Sequence, residues 1–240
     1  MAARIADADV SSMFDFGNCV HFGKLVGIAK AEQLPFLEAV TRCGVEGVEL
    51  NATVAAKHAA QMKNHGEGGA LTADHIAAIH MYTQACDFYR SLNACLRDRN
   101  RDCIKPFLPY LRLLLEGLRR LPAKSRIVYC GVKLDLSAKF REGDEPVWWS
   151  VTSTLTTMGE LQSKDFCGLD DEPRTIFAIR AAHARDIAAF SAISSEEEYI
   201  LLPGAQLKVI SLLALGGGRN LVEMHEVDEP MSLAEFEDAE

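Results

Sequence analysis

The hydrophobic period of this chain changes once, at Leu121-Pro122. Before that point apolar residues recur at helical spacing. After it they gather in short runs rich in β-branched and aromatic residues, as strands do. Helices first and strands afterwards is the order of an α+β fold with an antiparallel or mixed sheet, not of alternating α/β units.

The helical part can be followed turn by turn. Residues 1 to 70 offer apolar positions for short helices, among them Phe36, Leu37 and Val40. An alanine-rich run from Val54 to Lys63 is helix-prone, and Gly44, Gly47, Gly66, Gly68 and Gly69 punctuate the section. No chemical motif falls there, so it reads as a helical extension of unassigned role. Thr72 is placed as an N-cap, with Asp74 in the first turn behind it and Ile76, Ile79, Tyr82 and Thr83 continuing the stripe. Phe88, Tyr89, Leu92 and Leu96 mark a second helix, which the charged run from Arg97 to Asp102 ends. A third is predicted over Ile104 to Arg120, with Pro106 and Pro109 tolerated only near its start.

Strands are predicted over Arg126–Val132, Trp148–Thr154, Arg174–Arg180, Glu198–Leu202 and Leu207–Ala214. Gly216-Gly217-Gly218-Arg219-Asn220 reads as a hairpin loop from which Leu221–Val227 returns, and residues 228–240 form an acidic tail. The glycine run lacks the strand-to-helix setting of a dinucleotide fingerprint.

Charge and cysteine usage narrow the function classes. A net charge of −9 argues against nucleic acid or an anionic lipid surface as partner. No run approaches the roughly 18 apolar residues of a membrane span, and Met1 to Val10 lacks the apolar stretch of a secretory signal. The seven cysteines include no CxxC pair, so no metal site is expected, and reduced thiols in a cytoplasmic protein are the simplest account.

One stretch stands out chemically. Glu196-Glu197-Glu198 lies at the mouth of the apolar run Tyr199-Ile200-Leu201-Leu202, which Pro203-Gly204 closes. On a strand Glu196 and Glu198 share one face and Glu197 takes the other. Carboxylates crowded beside a core strand cost free energy through repulsion and desolvation, a cost often found where chemistry needs it.

These residues, with Val151-Thr152-Ser153-Thr154-Leu155 and the lead-in Arg185-Asp186-Ile187 and Ser191, resemble the arginine-specific mono-ADP-ribosyltransferase family. The resemblance covers roughly residues 71 to 227. Glu196-Glu197-Glu198 looks like the family's Glu-x-Glu element, and Val151-Thr152-Ser153-Thr154-Leu155 like its Ser-Thr-Ser strand, with Leu155 replacing the last serine. Where the family's first motif reads Tyr-Arg-Gly, this chain has Tyr129-Cys130-Gly131. The resemblance implies a domain over residues 71–227 built from two packed, mainly antiparallel sheets with an NAD cleft between them.

It also implies a chemistry. NAD would be the co-substrate and a protein arginine the acceptor. Glu198 would stabilise the positive charge that builds on the ribose as nicotinamide leaves, the oxyanion-hole principle with the sign reversed. Glu196 would draw in the acceptor guanidinium and take its proton as it attacks. Ser153 would position Glu198, and Cys130, Gly131, Ser153 and Thr154 would line the dinucleotide site. Two alternatives stay open: a catalytically impaired NAD-binding or interaction module on the same fold, disabled by Cys130, and an NAD glycohydrolase in which water replaces the guanidinium acceptor.

Overall fold

The computed structural model describes residues 14–15, 25–64, 69–157, 173–193 and 197–227. The acidic tail, Cys19 and Cys167 lie outside these residues, as does Glu196. The helices come first: α1 (Phe36–Arg42), α2 (Glu49–Asn64), α3 (Ala73–Thr83), α4 (Asp87–Arg97) and α5 (Leu108–Arg120). Thr72 caps α3 as the sequence predicts. Its hydroxyl accepts the His75 N–H, and His75 returns the bond to the Thr72 N–H. The predicted third helix opens as a 3-10 turn over Arg101–Phe107, because Pro106 has no N–H to give an α-helical ladder. It becomes α-helical only from Leu108.

Residues Leu25 to Met62 and Leu71 to Leu118 contribute to one buried apolar cluster, so the segments before and after residue 70 pack together. No helix among the described residues is long and apolar enough to cross a membrane.

The strands are β1 (Phe14–Asp15), β2 (Ala123–Val132), β3 (Val147–Trp148), β4 (Thr152–Thr154), β5 (Arg174–Asp186), β6 (Tyr199–Leu201), β7 (Ala205–Gly216) and β8 (Arg219–Glu226). Their order is β1-β3-β7-β8-β5-β6-β4, with β2 on the other edge of β5. All pairings are antiparallel except β5 with β8. The long strand β5 is where the sheet divides: β8 follows it over Arg174–Arg180, and β6 takes over at Arg185 and Asp186. Leu155, just past β4, bridges back to Tyr129 of β2. Strands β2, β5, β6 and β4 therefore close on one another, and Phe177, Ile179, Val128, Cys130, Tyr199 and Leu201 fill a second apolar cluster.

One expected strand is broken. Trp148–Thr154 is not continuous: Trp148 ends β3, and β4 starts at Thr152. The cause lies in the helices. Asn93 donates to the Val151 carbonyl and accepts its N–H (3.1 Å each), and Tyr82 also donates to that carbonyl (2.5 Å). With both polar backbone groups of Val151 taken by α3 and α4, no ladder can run through it. The two tryptophans on either side of the break are fully buried in different clusters, Trp148 among the strands and Trp149 among the helices.

Candidate active site

Glu198 immediately precedes β6, and its carbonyl accepts the Ile187 N–H at 3.0 Å. Side chains alternate along the strand. Tyr199 and Leu201 enter the strand cluster, and Ile200 enters the helix cluster on the opposite side. Glu198 shares the Ile200 side and is 0 % exposed. Glu197, turned the other way, is exposed and accepts a hydrogen bond from Thr156 (3.0 Å).

A carboxylate at that depth requires hydrogen-bond donors. Two serine hydroxyls supply them. Ser153 stands opposite Ile200 in the β4–β6 register, so its hydroxyl faces the Glu198 side and donates to Oε1. Ser191, in the turn after β5, donates to Oε2. That turn is closed by the N–H groups of Phe190 and Ser191 on the Ile187 carbonyl (2.8 and 2.9 Å).

Helix α3 then holds the turn from outside. Thr83 accepts the Ala192 N–H at 2.8 Å, and His80 Nδ1 meets the Phe190 carbonyl at 3.1 Å. Burial, with the His58 ring stacked 4.0 Å away, pushes His80 down to about 4 against the pull of that carbonyl. His80 is accordingly a neutral donor near neutral pH.

The other predicted residues fall elsewhere. Thr154 stands opposite Tyr199, and its hydroxyl donates to the Tyr199 carbonyl at 2.9 Å. Cys130 is 2 % exposed and lies in the strand cluster, opposite Phe177 in the β2–β5 register, and Gly131 beside it is buried as well. Ser153 and Glu198 are thus brought together, while Cys130 belongs to the apolar packing of β2.

On the strand side of β6 the Tyr199 hydroxyl donates to Asp186 at 3.1 Å and accepts from Arg126, whose guanidinium lies 4.6 Å from the ring centre. Burial would raise the Asp186 carboxyl, but hydrogen bonds from Lys124, the Ala188 N–H and Tyr199 outweigh it and hold that carboxyl below the usual carboxylate range.

Sequence reasoning placed Ser191 only in the lead-in to the glutamates and gave it no contact with Glu198. It also read Tyr82 as a member of an apolar stripe. The available signal is polarity in and beside that stripe: His80 and Thr83 stand three apart in an otherwise apolar run, and the structure buries both.

The model of the family described as NAD:arginine ADP-ribosyltransferase matches residues 47–232, a span that begins ahead of the motifs quoted above. No curated protein sequence matches the chain. Among solved structures, the eucaryotic mono-ADP-ribosyltransferase ART2.2 superposes with a TM-score of 0.64 at 16% identity, covering 87% of this chain and 93% of that one. The ADP-ribosyltransferase HopU1 of Pseudomonas syringae pv. Tomato DC3000 gives a TM-score of 0.61 at 20% identity, over 86% of this chain and 100% of that one. Vis, an ADP-ribosyltransferase from Vibrio splendidus, in complex with agmatine gives 0.53 at 19% identity, over 84% of this chain and 90% of that one. At these identities the likeness is one of fold.

Proposed function

The chain belongs to the NAD:arginine ADP-ribosyltransferase family, and from that premise we propose that it transfers ADP-ribose from NAD to arginine side chains of target proteins, releasing nicotinamide. The observation that carries this reading is the fully buried Glu198 carboxylate, gripped on both oxygens by Ser153 and Ser191. As the bond between nicotinamide and ribose C1′ breaks, its electron pair leaves with nicotinamide and positive charge spreads over C1′ and the ring oxygen. A carboxylate already fixed in place stabilises that charge without reorganising. Ser153 and Ser191 bond its two oxygens, and it sits fully buried on the Ile200 side of the strand start.

Transfer then requires a guanidinium nitrogen to attack C1′ and lose a proton. A protonated guanidinium has no free lone pair, so a base must act as it attacks. We assign this to Glu196, two residues before Glu198. The agmatine bound to Vis is a small guanidino compound of the kind this step consumes, which supports the choice of acceptor.

A second reading rests on Cys130. It stands where the family's motif has arginine and is buried in apolar packing, which favours a protein that binds NAD and turns it over slowly or not at all.

The test uses labelled NAD with agmatine, following nicotinamide release and transfer separately. Glu198→Gln should lower both together by about 10²-fold or more, as for loss of one preorganised electrostatic group. Glu196→Gln should lose transfer and keep NAD hydrolysis. Unchanged nicotinamide release in the Glu198→Gln protein would sink the assignment. NAD binding with no release in the wild type would select the second reading.

A further inference from the structure

We infer that Ser191 is a second positioning residue for Glu198, equal in rank to Ser153, and that helix α3 sets its place. This rests on the role proposed for Glu198 above.

The terminal torsion of a glutamate side chain is broad and roughly two-fold, so rotamer preference does not fix the plane of its carboxylate. Hydrogen bonds must do so. A donor on each oxygen constrains that plane more than a donor on one alone. Ser153 on β4 and Ser191 in the turn after β5 approach different oxygens from different elements, and together they define the plane.

The bonding of Ser191 is that of a relay. Its oxygen accepts the Ile193 N–H at 3.0 Å, which any turn serine can do, but its proton goes to Glu198 and not to the backbone. The residue is 5 % exposed, so water does not compete freely for that proton.

The turn carrying it is pinned on both sides of Ser191. His80 holds the Phe190 carbonyl and Thr83 holds the Ala192 N–H, both from the last turn of α3. A shift of α3 therefore moves the Ser191 hydroxyl and, through it, Oε2 of Glu198. Catalytic groups need placement to within about 0.5 Å, which makes this a lever on rate more than on binding.

The experiment compares wild type, Glu198→Gln, Ser191→Ala, Ser191→Thr, Ser191→Cys and the Ser153→Ala/Ser191→Ala pair, measuring kcat and KM for nicotinamide release with a melting curve for each. Ser191→Ala should lower kcat by about 10- to 100-fold, the worth of one hydrogen bond to a charged group, at unchanged KM for NAD. Ser191→Thr keeps the hydroxyl and should recover most of that loss. The double variant should fall further than the product of the single losses, because each serine partly covers for the other.

Wild-type kcat in Ser191→Ala overturns the inference, and so does a loss that Ser191→Thr shares and that follows the melting point. Where Ser191→Ala fails to fold, Ser191→Cys decides: the thiol keeps the volume with a weak donor, so kcat near wild type counts against positioning by the hydroxyl. A wild type that releases no nicotinamide, or a Glu198→Gln protein as active as wild type, overturns the underlying function and this inference with it.

Discussion

Glu198 and Tyr199 are neighbours in sequence and occupy opposite sides of one strand start. On the Glu198 side, polar side chains from α3 and α4 reach across the core: Tyr82 and Asn93 to Val151, Arg97 to Ser150, Thr83 to Ala192, His80 to Phe190. Each lands on a segment flanking Ser153 or Ser191. On the Tyr199 side, Cys130, Val128, Phe177, Leu201 and Val222 pack against one another, and the polar contacts of Tyr199 gather at its rim around Asp186. Directional hydrogen bonds fix position to tenths of an ångström, whereas apolar packing fixes volume. The helical layer thus does more than cover the sheet, because it aligns the backbone that carries the site.

The sharpest way to break this contrast is Cys130→Arg. If the strand side is packing alone, the guanidinium is buried without a partner and stability should fall by about 3–5 kcal/mol, the cost of an uncompensated buried charge. The melting point should drop and NAD affinity should not improve. Tighter NAD binding at an unchanged melting point would show that this side too is a cleft wall.

A smaller effect tests the helix side by pH. The folded-state value of His80, about 4, lies below its ordinary 6.5. As pH falls through that window the unfolded chain takes up a proton that the folded one refuses, so stability is full above it, declines across it and levels off below. The loss approaches about 3 kcal/mol at most. His75, lowered chiefly by burial, pulls in the same direction. His80→Gln keeps a donor for the Phe190 carbonyl without titrating, and urea titrations between pH 7 and 4 should show a shallower decline. An unchanged slope would remove His80 from the account.

Smaller again is Asn93→Ala, which strips Val151 of partners for its N–H and one of two bonds to its carbonyl. Stability should fall by about 1–3 kcal/mol for the unsatisfied group. Because Ser153 is two residues on, kcat should fall as well; a loss of stability with kcat intact would separate the strand break from the site.

Much of this was legible from the chain. Arg126–Val132 and Leu207–Ala214 announce themselves by continuous apolar and β-branched residues, and Thr72 by its capping chemistry. Motif order singles out Glu198 and Ser153, and the structure places the two in contact. The break at Val151 was not legible, because its cause, Asn93, stands 58 residues away. Nor was the full length of β5: Ala181-Ala182-His183-Ala184-Arg185 has helical propensity, and pairing with Ala123, Lys124 and Arg126 of β2 overrides it. Ser191 sat in plain view, but a serine in a turn gives no hint of where its proton goes.

The two serines also differ in how far the chain must travel to bring them to Glu198. Ser191 is separated from it by 7 residues and Ser153 by 45. Closing the longer loop costs roughly 1.6 kcal/mol more in chain entropy, on the logarithmic dependence of closure on length. His80 and Thr83 meet their partners across 110 and 109 residues. The grip of Ser191 therefore spans a short stretch of chain, while the α3 contacts that hold it from outside arrive from far along the sequence. Synthesis runs in the same order: α3 is made more than a hundred residues before Glu198, and until Glu198 and β6 follow there is no carboxylate for that helix to align.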